Sequence, residues 1–152
     1  MTIEGQKSYP GDQASPEKIA QLANEYRQAA AKLEQLGRKG VPLSLAPCRC
    51  VSIHAIELYL NAILVCAGHT AEQIRGLQHD LGARTDRALD AKFPLKKRTI
   101  DHLNDICRRR EYLVARYDPE APKTSEINQL NATLAELAKK VPVWINTRRQ
   151  KT

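Results

Sequence analysis

The chain has 152 residues, of which 42% are hydrophobic and 27% are charged, and its formal net charge is +7. This composition is ordinary for one soluble globular domain with its own core, and the chain contains no low-complexity segment. The N-terminus has no apolar core typical of a signal peptide, and no long apolar run predicts a transmembrane helix, so we expect a cytoplasmic protein without a membrane partner. The basic balance permits a nucleic-acid partner, and a basic surface without such a partner is the alternative.

The first segment, residues 1–14, is polar and contains glycine and proline, which predicts a flexible N-terminal arm. Ser15, Pro16 and Glu17 then provide a helix cap, a first-turn proline and an early acid. Apolar residues follow at helical spacing until Gly37, which predicts a first amphipathic helix over residues 16–36.

A second helix is predicted over residues 47–67, and it is the most apolar stretch of the chain. Apolar side chains lie on two of its sides, which is typical of a central helix touched by several neighbours. His54, Glu57 and Asn61 interrupt the apolar surface on one stripe. Because a buried carboxylate needs a partner, Glu57 predicts a cation on another helix.

The remaining segments predict a short helical piece over residues 70–75 and three further helices over residues 80–91, 95–117 and 125–141. No strand pattern of useful length appears. Pro142 is expected to end the last helix, with the apolar residues 143–145 packing back onto the domain. Residues 146–152 are then predicted to be a loose basic tail. The sequence thus predicts a single all-α domain over residues 15–145, an antiparallel bundle of about five helices.

The predicted helix over residues 95–117 carries a polar face formed, at about 100° per residue, by Arg98, His102, Asp105, Arg109, Tyr112 and Arg116. One interpretation is a solvated face with internal salt bridges. The other is a nucleic-acid surface: the arginines hold phosphates, Tyr112 stacks on a base, and His102 is a weak candidate for a general acid or base.

Arg110 falls on the apolar side of the same predicted helix. We therefore predict a structural buried pair between Glu57 and Arg110 that holds two helices in register. The alternative is that Arg110 extends its guanidinium to the edge of the domain.

The four cysteines do not predict a metal site. Cys48 and Cys50 form a close pair, but no second Cys/His pair supplies the other ligands, and Cys66 and Cys107 lie in apolar helical patterns. No glycine-rich phosphate loop or nucleophile elbow is present, so no cofactor is predicted and hydride-transfer or redox enzymes are poorly supported.

Three stretches together resemble the HEPN family, the "higher eukaryotes and prokaryotes nucleotide-binding" domains. They are residues 54–62, with sequence HAIELYLNA, then His79-Asp80-Leu81, and finally residues 116–119, with sequence RYDP. Their order and the helix layout match the family over about residues 15–141. The resemblance implies a HEPN-like all-α bundle that commonly forms homodimers and binds or acts on RNA or nucleotides. Many members function with a nucleotidyltransferase in toxin–antitoxin or defence systems.

The ribonuclease members of this family carry an arginine and, a few residues further on, a histidine. Arg98 and His102 are the nearest pair here, with one residue fewer between them than the family pattern has, and Asn61 stands where many members have lysine. We therefore expect a binding module for nucleic acid, a nucleotide or a protein partner, with little or no catalysis. The alternatives are a metal-independent ribonuclease that uses His102 with Arg98 or Arg109, and a purely structural protein-interaction module.

Overall fold

The computed structural model describes residues 9–120 and 123–151, and every helix or strand assigned in these ranges is a helix. The predicted all-α class is therefore confirmed. Where about five helices were predicted, the described residues form seven α-helices and one short 3-10 helix. In chain order they are α1 Pro16–Glu34, the 3-10 helix Pro42–Leu45, α2 Ala46–Cys66, α3 Ala71–Gly76, α4 Leu81–Asp90, α5 Lys97–Arg108, α6 Glu111–Tyr117 and α7 Ile127–Gln150.

Three helices begin at caps that are visible in the sequence. The Ser15 hydroxyl accepts a hydrogen bond from the Lys18 amide at 3.2 Å, and the Asp80 carboxylate accepts one from the Ala83 amide at 2.9 Å. Thr70 forms a reciprocal capping box with Gln73. Each cap satisfies an amide that has no partner inside its own helix, which fixes where α1, α3 and α4 start.

Helix α2 is the centre of the domain, and α1, α4, α6 and α7 all pack against it. Its fully buried side chains include Ile56, Tyr59, Leu60, Ile63 and Leu64. Within the described residues, Pro42–Cys66 is the one helical stretch long and apolar enough to cross a membrane, and more than half of its most apolar window is buried inside the bundle. A core helix of a globular domain has the same properties.

Residues 9–14, the described part of the predicted flexible arm, contact α3 through Arg75. The Arg75 guanidinium forms an ion pair with the Asp12 carboxylate at 2.5 Å and lies 4.1 Å from the centre of the Tyr9 ring. The rest of the predicted arm, residues 1–8, lies outside the described residues. A sequence pattern cannot show this attachment because both partners of Arg75 are distant from it in the chain.

The single helix predicted over residues 95–117 is wrong. Helix α5 ends at Arg108, and Arg110 has left-handed backbone angles, φ 52° and ψ 44°. A side chain in this region interrupts a right-handed helix, so α6 starts again in another direction. Neither glycine nor proline marks the break, so the helical periodicity of the sequence gives no sign of it.

The predicted end of the last helix at Pro142 is also wrong. Helix α7 continues through Pro142 to Gln150, with Val141 and Ile145 buried on either side of the proline. Tertiary burial of this face offsets the hydrogen bond that proline cannot donate. Trp144 packs edge-on against Phe93, whereas Val143 is 64% exposed, so only part of the apolar 143–145 segment packs inward.

The basic residues after position 145 are not a loose tail as far as the structure describes them. Residues 146–150 belong to α7, and Arg149 forms a two-nitrogen ion pair with Glu17 at the start of α1. This contact joins the last turn of α7 to the first turn of α1. The Arg149 charge is thereby held against the first turn of α1.

Candidate functional site

A cavity of about 420 Å³ opens between α1, α2, α6 and the turn that precedes α4, and we refer to it as the α2–α6 pocket. Its walls combine four aromatic or imidazole rings with one carboxylate and one guanidinium. The lining residues are Tyr26, Cys50, Val51, Ile53, His54, Glu57, His79, Tyr112 and Arg116. Pockets for small molecules combine apolar walls with a few polar groups in this way.

Glu57 and His79 form the polar pair of the α2–α6 pocket. The His79 Nδ1–H donates to Glu57 Oε1 at 2.9 Å, and the two side chains are 50% and 14% exposed, respectively. His79 reaches α2 because Gln78 turns the chain with φ 52° and Asp80 then caps α4. The half-buried carboxylate thus has its hydrogen-bond partner on the turn before α4.

The predicted pair between Glu57 and Arg110 is wrong. Arg110 occupies the cap position of α6 and is exposed, next to a shallow cleft that also contains Gly76, Cys107 and Tyr112. Within the described part of the chain its side chain has no ion pair. The left-handed turn at Arg110 removes this residue from the apolar side on which a continuous helix had placed it.

His54 lies one turn before Glu57 on α2. Its ring contacts Tyr26 edge-on, with 4.6 Å between ring centres and 86° between ring planes. Desolvation lowers the pKa of His54, against the opposing effect of the Glu57 carboxylate. We therefore expect a neutral imidazole at pH 7, able both to donate and to accept a hydrogen bond.

Tyr112 and Arg116 reach the pocket from α6. The Tyr112 ring lies against His79 with 5.1 Å between centres, and Arg116 follows one turn later on an exposed position. The break at Arg110 directs both residues toward α2, away from the face of α5. The interruption of the helix is thus what brings these side chains next to Glu57.

A buried arginine lies beside the pocket. Arg84 is 2% exposed; its Nε donates to the Asn61 side-chain oxygen at 2.7 Å and its Nη1 to the Asp80 carbonyl at 3.2 Å. Desolvation lowers the pKa of Arg84 below its usual value, and the charges of Glu57 and Asp80 offset only part of this shift. The Glu57 carboxylate therefore lies within electrostatic range of the Arg84 guanidinium.

His102 does not lie on an exposed polar face, contrary to the prediction. It is 5% exposed, and its Nδ1 and Nε2 lie 2.6 Å from the Thr133 hydroxyl and 2.8 Å from the Ser125 hydroxyl. Desolvation lowers its pKa to about 4. Because both ring nitrogens are already engaged, this environment does not favour the predicted role of His102 as a general acid or base.

The predicted nucleic-acid residues lie in three separate places. Tyr112 and Arg116 line the α2–α6 pocket, and Arg98 borders a different cavity of about 250 Å³ next to His102. The Arg109 side chain is 20% exposed and lies 3.8 Å from both Asp105 and Glu111, which partly neutralise it. The structure therefore does not bring Arg98, Arg109 and Arg116 into one basic edge.

Sequence reasoning missed Tyr26, His54 and His79 as site residues. Two signals pointed to His54 and His79: the polar stripe of His54, Glu57 and Asn61 on α2, and the His-Asp pair before α4. No sequence signal identified Tyr26. In the ranges that the structure describes, no three His, Cys, Asp or Glu side chains are grouped so that they could hold a metal ion.

Comparisons of the chain with models of protein families, with curated proteins and with solved structures found no match.

Proposed function

We propose that the chain is a HEPN-like helical domain that binds a nucleotide or single-stranded RNA in the α2–α6 pocket. The observation that carries this proposal is the meeting of three distant stretches at one cavity. Residues 54–62 supply His54 and Glu57, residues 79–81 supply His79, and residues 116–119 supply Arg116. These are the stretches on which the resemblance to the HEPN family rests.

The chemistry of the pocket matches a nucleotide. Base rings stack on aromatic side chains whatever their sequence, and Tyr26, His54, His79 and Tyr112 provide such surfaces. Arg116 is exposed at the same cavity and has the charge and geometry to bind a phosphate. The formal net charge of +7 favours the approach of a polyanion.

The test is a comparison of Arg116→Ala with Arg98→Ala. Both arginines are exposed, and both variants remove one positive charge, but only Arg116 lines the pocket. We expect Arg116→Ala to weaken binding of a short single-stranded RNA by about tenfold in fluorescence anisotropy at low salt, and Arg98→Ala to weaken it only slightly. Equal losses from both variants, or no salt-sensitive binding by the wild type, would contradict the proposal.

The cellular setting is proposed on the resemblance alone. A cytoplasmic homodimer that acts in a toxin–antitoxin or defence-type system, with a nucleotidyltransferase as its protein partner, is the expectation for a HEPN-like domain. Co-purification of the tagged chain with its genomic neighbour tests the partner. Recovery of the chain alone under conditions that preserve known complexes of this type would count against it.

A further inference from the structure

We infer that Glu57 makes the α2–α6 pocket selective for guanine among the four bases. This inference rests on the proposed nucleotide binding and adds the identity of the base. It follows from the position of one carboxylate oxygen and from the hydrogen-bonding edges of the bases. Glu57 thereby becomes the residue that determines specificity, while the rings of the pocket bind any base.

The Glu57 carboxylate has free accepting capacity inside the pocket. Oε1 accepts one hydrogen bond, from His79 Nδ1 at 2.9 Å. Within residues 9–120 and 123–151, Oε2 makes no hydrogen bond or ion pair, and the Glu57 side chain is 14% exposed. An ionised carboxylate has about four lone-pair sites, so Oε1 can also accept a second hydrogen bond.

The residues around Glu57 fix its orientation. His79 holds Oε1 on one side, and the His79 ring is itself packed against Tyr112. His54 precedes Glu57 by one turn on the same helix, and Ile53 lies in the same wall. A polar group that is held in this way discriminates between ligands more strongly than one that is free to move in solvent.

Guanine is the base whose Watson–Crick edge fits a carboxylate. Its N1–H and N2–H donors are adjacent and point the same way, so they can bind the two oxygens of Glu57 together. Adenine and cytosine each place a ring-nitrogen acceptor beside their amino group, and uracil flanks its N3–H with two carbonyl oxygens. Each of these three bases would therefore direct an acceptor lone pair at the carboxylate, which is unfavourable.

The test is isothermal titration calorimetry of the full chain with GMP, AMP, CMP and UMP at low salt. A good bidentate contact discriminates between bases by roughly 1–3 kcal/mol, so we expect GMP to bind on the order of ten- to a hundredfold more tightly than the other three. Inosine monophosphate lacks only the N2 amino group. Its affinity should fall between those of GMP and AMP.

Glu57→Gln provides the second arm, because an amide offers one acceptor and one donor group in place of two acceptor oxygens. We expect this variant to lose the preference for GMP over AMP and to retain stacking-driven binding. Glu72→Gln is the matched control, since Glu72 is exposed on α3 and outside the pocket lining. This control should bind all nucleotides like the wild type.

The outcomes separate the two proposals. Equal affinity for the four nucleotides, or equal affinity for GMP and inosine monophosphate, overturns the guanine inference and leaves nucleotide binding in place. Absence of binding by every nucleotide and by single-stranded RNA overturns both. The comparison of GMP with inosine monophosphate uses wild-type protein only, so it decides the inference even if Glu57→Gln fails to fold.

Discussion

At His102, burial determines both the protonation state and the direction of the hydrogen bonds. The neutral ring donates through one nitrogen and accepts through the other. Ser125 donates its hydroxyl proton to Glu111 Oε2 at 2.8 Å, so it accepts from His102 Nε2–H, and the Thr133 hydroxyl donates to Nδ1. In this arrangement each of the four side chains has a hydrogen-bond partner, and the network connects α5, α6 and α7.

This arrangement predicts a pH-dependent stability. Because the pKa of His102 is about 4 in the folded chain and 6.5 for an ordinary histidine, the unfolded chain binds the additional proton between these values. The free energy of unfolding should therefore fall as pH decreases from about 6.5 to 4, by about 3 kcal/mol from this residue. Urea unfolding at several pH values measures this loss.

His102→Gln is the comparison for that measurement. Glutamine does not titrate, so the variant should show a flatter pH dependence between 6.5 and 4, whatever its stability at pH 7. The lowered pKa of His54 contributes in the same range in both proteins and cancels in the comparison. Identical slopes for wild type and variant would show that His102 titrates normally.

At the level of helices, one side chain of α7 serves as the cap of α5. Glu136 Oε2 accepts from the Lys96 amide at 2.9 Å and from Lys140 Nζ at 2.7 Å, and Oε1 accepts from the Thr99 hydroxyl. Helix α5 has no side-chain cap from within its own sequence. Its start is therefore determined by tertiary structure. This explains why the sequence pattern predicted a start at residue 95, two residues before the observed start at Lys97.

Glu136→Ala should destabilise the protein by about 2 kcal/mol, because it leaves the Lys96 amide and the Thr99 hydroxyl without their acceptor. Glu25→Ala, at an exposed position of α1, is the control and should change the free energy of unfolding by less than about 0.5 kcal/mol. Thermal and urea unfolding provide the measurement. Equal effects of the two substitutions would mean that α5 does not depend on this cap.

The break between α5 and α6 makes a separate prediction. Arg110 is exposed and pays the cost of a left-handed backbone, about 1–2 kcal/mol for a residue with a side chain. Arg110→Gly should leave stability unchanged or raise it by up to about 1 kcal/mol, after the greater entropy of unfolded glycine is included. Arg110→Val should lower it, because a β-branched side chain tolerates this conformation poorly.

Urea unfolding distinguishes these two variants, and their order is the informative result. A valine variant as stable as the glycine variant would show that residue 110 does not adopt positive φ in solution. In that case residues 95–117 would form the continuous helix that the sequence predicts. Tyr112 and Arg116 would then leave the α2–α6 pocket.

The sequence predicted those parts of the fold that depend on local chemistry. Ser15, Thr70 and Asp80 are caps that act within one turn, and the apolar pattern of α2 reflects its own burial. The break at Arg110 and the passage of α7 through Pro142 depend on packing between helices, which periodicity does not contain. His102 was misplaced for a related reason: it lies roughly 40° from the buried Ile106 around the helix, and Ser125 and Thr133 complete its burial from elsewhere in the chain.

In the candidate site too, local patterns were predictable from the sequence and contacts between helices were not. The polar stripe on α2 and the His-Asp pair before α4 were visible as patterns, but their contact across 22 residues was not. The sequence assigned Tyr112 and Arg116 to a surface shared with Arg98 because it assumed one straight helix. A site built from a helix break can be recognised only once the direction of each helix is known.

For the whole molecule, we retain the expectation of a homodimer. Two large apolar side chains on the surface are available for an interface, since Val143 is 64% exposed and Leu22 is 49% exposed. Sedimentation velocity at tens of micromolar should show a dimer, and Val143→Glu should shift the equilibrium toward monomer. A wild-type protein that sediments only as a monomer would contradict this expectation.

The four histidines of the chain report on whether nucleotide binds in the α2–α6 pocket. His54 and His79 line the pocket, His69 lines a different cavity, and His102 is buried between α5 and α7. In NMR spectra of the histidine rings at pH 7, addition of GMP should shift the signals of His54 and His79 and leave those of His69 and His102 in place. Shifts confined to His69 or His102, or unchanged His54 and His79 signals at saturating GMP, would mean that nucleotide does not bind in the α2–α6 pocket.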